Sequence, residues 1–91
     1  MKARAHAFIS GRVQSVYFRA TTRDVAREAG LKGWVKNLPD GGVEAVFEGE
    51  KEAVGKMLQW CTHGPSGAEV KDVDAKWEEP TNEFESFDIT W

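Results

Sequence analysis

The sequence holds a single cysteine and no long hydrophobic run. With Cys61 alone the chain cannot form an internal disulfide, which is typical of proteins from reducing compartments. No segment approaches the roughly 20 apolar residues that a membrane span needs, and no apolar leader opens the chain. We therefore predict a cytoplasmic protein that does not enter a membrane.

An excess of positive charge is also missing. Lys and Arg number 12 against 15 Asp and Glu, so the net charge is −3 and the pI is about 5.3. Proteins that grip nucleic acids or anionic membranes carry basic surfaces, so neither is an expected partner. The chain has no Cys-x-x-Cys, no His–Glu pair and no carboxylate cluster. We therefore expect no metal and no cofactor.

What the chain does contain is the composition of one small globular domain. Its 91 residues are 41% hydrophobic and 30% charged, without a linker, a repeat or a low-complexity segment. Four Trp and five Phe give a core of modest size a large apolar area. These features predict a single domain over residues 1–91.

Periodicity in the hydrophobic pattern predicts an α+β fold. Alternating residues indicate strands, and apolar residues at helical spacing indicate helices. The predicted elements are a strand at 3–10, a loop at 11–18, a helix at 19–29, strands at 31–38 and 43–48, a helix at 50–62, and strands at 73–78 and 87–91. This βαββαβ order favours a ferredoxin-like sandwich. We expect a four- to five-stranded, mainly antiparallel sheet with both helices on one face.

Residues 11–19 join a Gly-containing loop to a helix entrance at Arg19. N–H groups in the loop and in the first helical turn have no intrahelical acceptor, and the helix dipole is positive there. A guanidinium binds phosphate oxygens in a bidentate manner. A cation at a helix start is mildly unfavourable by itself, which indicates an anion nearby. The segment therefore predicts a phosphate-binding loop.

A second segment makes the prediction more specific. Residues 11–19 read Gly-Arg-Val-Gln-Ser-Val-Tyr-Phe-Arg, and residues 33–41, one helix later, read Gly-Trp-Val-Lys-Asn-Leu-Pro-Asp-Gly. In order and spacing the two segments resemble the acylphosphatase family. The family pattern is close to Gly-x-Val-Gln-Gly-Val-x-Phe-Arg, followed by Gly-Trp-Val-x-Asn. The resemblance covers essentially the whole chain, and Ser15 departs from it where the family usually has Gly.

The resemblance implies an acylphosphatase, an enzyme that hydrolyses acyl phosphates to a carboxylate and inorganic phosphate without a metal or a covalent intermediate. Arg19 and the loop backbone would bind the phosphate, and Asn37 would orient the attacking water. The loop residues implied to surround the phosphate are Gln14, Ser15, Val16, Tyr17, Phe18 and Arg19. The implied partners are a small acyl phosphate and inorganic phosphate, as product and inhibitor, bound by a monomer.

Three further positions carry expectations of their own. Gly11 has two alternatives: it allows a tight turn or a positive φ at the entrance of the loop, or it is a glycine that ends the strand. If the chain is left-handed at Ser15, the side chain costs roughly 1–2 kcal/mol. Tyr17 has two alternatives: it lines the pocket for the acyl group, or it covers the core.

Two other functions compete with the enzyme. The first is a phosphate- or anion-binding domain of the same fold without catalysis, which Ser15 keeps open. The second is an RNA-recognition module, since that fold is also βαββαβ. It would use aromatic residues such as Phe8 and Phe47, but the third strand is acidic and lacks the RNA-binding motif.

Overall fold

The computed structural model describes residues 1–14 and 17–90, so Ser15, Val16 and Trp91 lie outside the described residues. Over that range the predicted order of strands and helices is confirmed. The elements are β1 (Lys2–Arg12), α1 (Phe18–Glu28), β2 (Lys32–Asn37), β3 (Val43–Glu50), α2 (Lys51–Cys61), β4 (Glu69–Glu78) and β5 (Phe87–Ile89). Of the two described helices, each eleven residues long, neither has the length and apolar content to cross a membrane.

The strands form one sheet in the order β4-β1-β3-β2-β5. β1 runs antiparallel to both β3 and β4, and β2 runs antiparallel to β3. β5 is parallel to β2, with Ile89 opposite Val35. The ferredoxin-like sandwich is therefore confirmed. Its fifth strand is parallel to β2 because β4 ends at the end of the sheet where β2 begins, and the chain crosses to the opposite edge along that end.

Both helices pack against one face of the sheet, and the core lies between these two layers. Small side chains on β1, such as Ala5 and Ala7, leave room there for larger residues from the helices. Phe47 on β3 also faces this layer; it is fully buried and stacks on Phe87 with 5.4 Å between ring centroids. A ring buried in this way cannot stack on a base, so Phe47 does not form the platform of an RNA-recognition module.

Gly11 lies inside β1, so its placement in the loop was wrong. The pairing of β1 with β4 shifts register between Ser10 and Gly11, as at a β-bulge. Gly11 has a φ of +119°, and a Cβ on it would lie 2.2 Å from the carbonyl oxygen of Glu69. Because the bulge lets pairing continue past this point, β1 extends to Arg12 and β4 begins at Glu69 rather than at Val73.

Candidate active site

The site begins where the loop enters α1. The first turn is closed by a hydrogen bond of 2.9 Å from the Thr21 N–H to the Tyr17 carbonyl oxygen. The N–H groups of Phe18 and Ala20 come before Thr21 in the chain, so they have no acceptor within the helix. They stand at the positive end of the helix dipole, close to Arg19 in the same turn. This end of α1 therefore suits an anion.

Tyr17 is the residue at which the backbone turns into the helix. Its φ of 58° and ψ of 25° are left-handed, a conformation that costs a bulky side chain free energy. Whether the backbone is also left-handed at Ser15 is not addressed, because Ser15 lies outside the described residues. The ring of Tyr17 is 84% exposed and borders a cavity. Of the two alternatives for this residue, coverage of the core was therefore wrong.

Asn37 is the last residue of β2, directly before the turn into β3. The turn is closed by a 2.9 Å hydrogen bond from the Leu38 N–H to the Gly42 carbonyl oxygen. Asp40 supports it by accepting a 2.9 Å hydrogen bond from the Gly42 N–H. The side-chain oxygen of Asn37 is buried and has no hydrogen-bond partner among the described residues. A buried acceptor without a partner is costly, and the amide of Asn37 presents its remaining polar atoms beside the cavity.

These two regions meet at a cavity of about 370 Å³. Its lining residues are Val13, Gln14, Tyr17, Phe18, Arg19, Ala20, Asn37 and Ile89. Val13 and Phe18 are fully buried and form its floor, whereas Tyr17 stands at its rim. Arg19 and Asn37, distant in sequence, thus border the same space. A cation and an amide beside a helix N-terminus can bind a phosphate-sized anion and a water together.

Gln14 has a contact that its place in the loop did not predict. Its side-chain amide donates to the carbonyl oxygens of Leu38 and Gly42, each at 2.8 Å. Only backbone donors were predicted for this part of the loop. A long amide side chain beside Val13 was the one available signal, and its acceptors lie a helix and a strand away in sequence.

Cys61 does not line this cavity. It is fully buried in the core, and desolvation raises the pKa of its thiol to about 12. A thiol with this pKa carries almost no thiolate at neutral pH, so it cannot serve as a nucleophile. Across residues 1–14 and 17–90, no group of three or more His, Cys, Asp or Glu side chains could hold a metal ion.

Comparison with known proteins identifies the family of this chain. The family model described as acylphosphatase matches residues 5–89. The chain belongs to the acylphosphatase family. An acylphosphatase from Roseiflexus sp. strain RS-1 is 63% identical over 89 residues, which are 98% of this chain and 96% of that protein.

Solved acylphosphatases share the fold. The acylphosphatase of Bacillus subtilis superposes with a TM-score of 0.94 at 30% identity, over 100% of both chains. The acylphosphatase of Coxiella burnetii gives a TM-score of 0.92 at 35% identity, over 98% of this chain and 93% of that one. Family membership thus rests on sequence and on structure, and Gln14 and Arg19 from the first motif border one cavity with Asn37 from the second.

Proposed function

We propose that this chain, as a single domain over residues 1–91, hydrolyses acyl phosphates to a carboxylate and inorganic phosphate. One observation carries the proposal. Arg19 and Asn37, 18 positions apart in the sequence, border the same cavity. Membership of the acylphosphatase family supports the same reaction.

The phosphate is bound at the entrance of α1. The guanidinium of Arg19 and N–H groups of the loop and first turn donate to its oxygens. These donors are oriented before the substrate arrives, so they stabilise the charge that the transferring phosphoryl group carries in the transition state. Neither Arg19 nor a backbone N–H needs to gain or lose a proton in this role.

The water is held by Asn37. Its side-chain amide hydrogen-bonds to the water and directs the water oxygen at phosphorus, in line with the acyl oxygen that leaves. The new P–O bond forms as the P–O bond to the acyl group breaks, and the carboxylate departs with the bonding electrons. A phosphate oxygen takes the proton of the water. Carboxylate is a good leaving group, so positioning and charge stabilisation suffice.

The partners follow from the same chemistry. The substrate is a small acyl phosphate, and inorganic phosphate binds the same donors as product and inhibitor. A net charge of −3 gives no attraction to nucleic acid or to an anionic membrane. A monomer and a cytoplasmic location stay predictions from the sequence.

A phosphate-binding domain without catalysis is the second candidate. It is favoured by Ser15, which stands where the family usually has Gly. A changed loop backbone there would keep the cavity and its cation, yet place the phosphate badly for attack.

The test is hydrolysis of benzoyl phosphate in the presence of EDTA, with the wild type beside Asn37→Ala. We expect metal-independent turnover by the wild type and a loss of about 100-fold or more in kcat in the variant. The inhibition constant of inorganic phosphate should change little in Asn37→Ala and should rise strongly in Arg19→Ala. Asn82→Gly alters the other asparagine, in an exposed loop with a φ of 56°, and serves as the control. A folded wild type that binds phosphate without turnover would establish the second candidate.

A further inference from the structure

Gln14 connects the two halves of the candidate site. Its backbone belongs to the loop that leads into α1, and its side chain reaches the turn that follows Asn37. The amide nitrogen lies 2.8 Å from the carbonyl oxygen of Leu38 and 2.8 Å from that of Gly42. Both protons of the amide therefore have acceptors, and the side chain is half-buried.

The two acceptors are the ends of one turn. Leu38 begins the turn directly after Asn37, and the Gly42 carbonyl oxygen also accepts the N–H of Leu38 at 2.9 Å. A side chain that bonds to both ends holds the turn closed and fixes the end of β2 relative to the loop. The direct neighbour of Asn37 is thus tied to the residue that opens the phosphate-binding loop.

Asn37 needs such support. Asn37 is the last residue of β2, and the turn that Gln14 bonds to follows it directly. If Asn37 orients the water, the distance from its amide to the bound phosphate must be kept, and a misplacement of about 1 Å can cost roughly 100-fold in rate.

We propose that Gln14 is a positioning residue, which holds Asn37 and its water against the phosphate-binding loop. The inference rests on the proposed function, because it assigns Gln14 to the same reaction. Phosphate affinity depends on Arg19 and on backbone donors, so the loss of the Gln14 amide should act mainly on turnover. A purely structural role would lower stability and leave the turnover of the folded enzyme unchanged.

The experiment compares Gln14→Met with Gln59→Met. Methionine keeps the length of glutamine but has no donor, and Gln59, the other glutamine of the chain, is exposed on α2. With benzoyl phosphate, well below the Tm of each variant, we expect kcat of Gln14→Met to fall at least tenfold. The phosphate inhibition constant should stay within threefold of the wild type, and Gln59→Met should match the wild type. An unchanged kcat, or a rise in the inhibition constant as large as the fall in kcat, would overturn the proposal.

Gln14→Glu provides a second variant, whose pH profile is the readout. An ionised carboxylate offers no donor to the two carbonyl oxygens, whereas the protonated acid regains one. Relative to the wild type, kcat of Gln14→Glu should rise as the pH falls from neutral towards 5. A constant ratio across that range would contradict the role of the amide donors, and this variant also serves if Gln14→Met does not fold.

A measurement without turnover separates this inference from the proposed function. In ¹⁵N-labelled protein, the side-chain amide signals of Asn37 should be sharp in the wild type with inorganic phosphate bound. They should shift or broaden in Gln14→Met and stay unchanged in Gln59→Met. If the wild type does not hydrolyse acyl phosphates, the proposed function fails, yet these signals still report the tether. Unaltered Asn37 signals in Gln14→Met would overturn the tether itself.

Discussion

The buried carboxylate of Glu48 accepts a 2.8 Å hydrogen bond from the backbone N–H of Asn82. Its other oxygen accepts the N–H of Thr81 at 2.9 Å. Glu48 is only 5% exposed and lies on β3, whereas Thr81 and Asn82 belong to the segment between β4 and β5. One acidic side chain thus anchors the connection that crosses the sheet to its far edge.

Glu48→Ala should therefore lower the free energy of unfolding. Two backbone donors lose their charged partner, and a longer hydrogen bond from the Thr81 hydroxyl is lost as well, which we expect to cost about 2–4 kcal/mol. Urea denaturation measures this change, with Glu85→Ala, an exposed neighbour on the same connection, as control. Benzoyl phosphate turnover of the folded variant should stay within twofold, because Glu48 lies at the other end of β3 from the Asn37 pair. A loss below about 0.5 kcal/mol would show that the connection does not depend on this anchor.

Acid should weaken the same region through Glu83. The Arg4 guanidinium donates to Glu83 at 2.8 Å and, together with the Thr81 hydroxyl, lowers the pKa of that carboxyl below its usual 4.5. The unfolded chain then takes up this proton at a higher pH than the folded one. The contribution of Glu83 to the free energy of unfolding is therefore complete above the pKa of the unfolded chain. It is lost as the pH falls through the pKa of the folded protein. Between about pH 5 and 3, the urea midpoint of Glu83→Gln should decline less steeply than that of the wild type or of Glu85→Gln. Equal slopes would show that Glu83 contributes nothing.

High pH should lower the free energy of unfolding through ionisation of the Cys61 thiol. In the folded protein its pKa is about 12, against an ordinary 9.0, so the unfolded chain ionises first. Its contribution to stability is complete below about pH 9 and is lost towards pH 12, by up to about 1.4 kcal/mol per pH unit. From pH 8 to 10.5 the free energy of unfolding should fall more in the wild type than in Cys61→Ala. A thiol reagent at pH 8 should label the denatured chain rapidly and the native chain slowly. Rapid labelling of the native protein would contradict its burial.

Thr22 offers a route to higher stability. It is fully buried on the core side of α1, and its hydroxyl has no hydrogen-bond partner among the described residues. Valine has almost the same shape and no hydroxyl to desolvate, so Thr22→Val should raise the free energy of unfolding by about 1 kcal/mol. Thermal denaturation measures this gain, and Thr21→Val, on the same helix but only half-buried, controls for helix propensity. A lower Tm in Thr22→Val than in Thr21→Val would show that the hydroxyl is satisfied.

Tyr17 should influence which acyl phosphates are preferred. Its ring is exposed at the rim of the cavity in a left-handed backbone, an arrangement that core packing does not require. Contact with an aromatic acyl group that covers about 40 Å² of the ring contributes roughly 1 kcal/mol, or about fivefold in kcat/KM. Tyr17→Ala should therefore lose about fivefold for benzoyl phosphate and little for acetyl phosphate. Tyr17→Gly should show the same selectivity with a higher Tm than Tyr17→Ala, because glycine tolerates the positive φ. Equal losses for both substrates would contradict a role in acyl selectivity.

Local pattern was enough to predict much of the fold and the candidate site. Alternation along β1 predicted the strand, because residues two apart lie on the same side of a sheet. The motifs around Arg19 and Asn37 identified the residues that border the cavity, because each motif lies within one loop or at one strand end. The placement of Gly11 in the loop was wrong because a bulge depends on the pairing of two strands, and the sequence around Gly11 contains only one of them.

The sequence by itself determined the order of strands and helices, the family, and the two segments that form the cavity, since all of these are encoded over short stretches of chain. Only the tertiary structure decided that β5 runs parallel to β2, that Gln14 reaches Leu38 and Gly42, and that Glu48 receives Thr81 and Asn82. Each of these contacts joins residues that are remote along the chain. Their geometry depends on how strands and loops are arranged in the folded chain, and no local pattern of residue types records that arrangement.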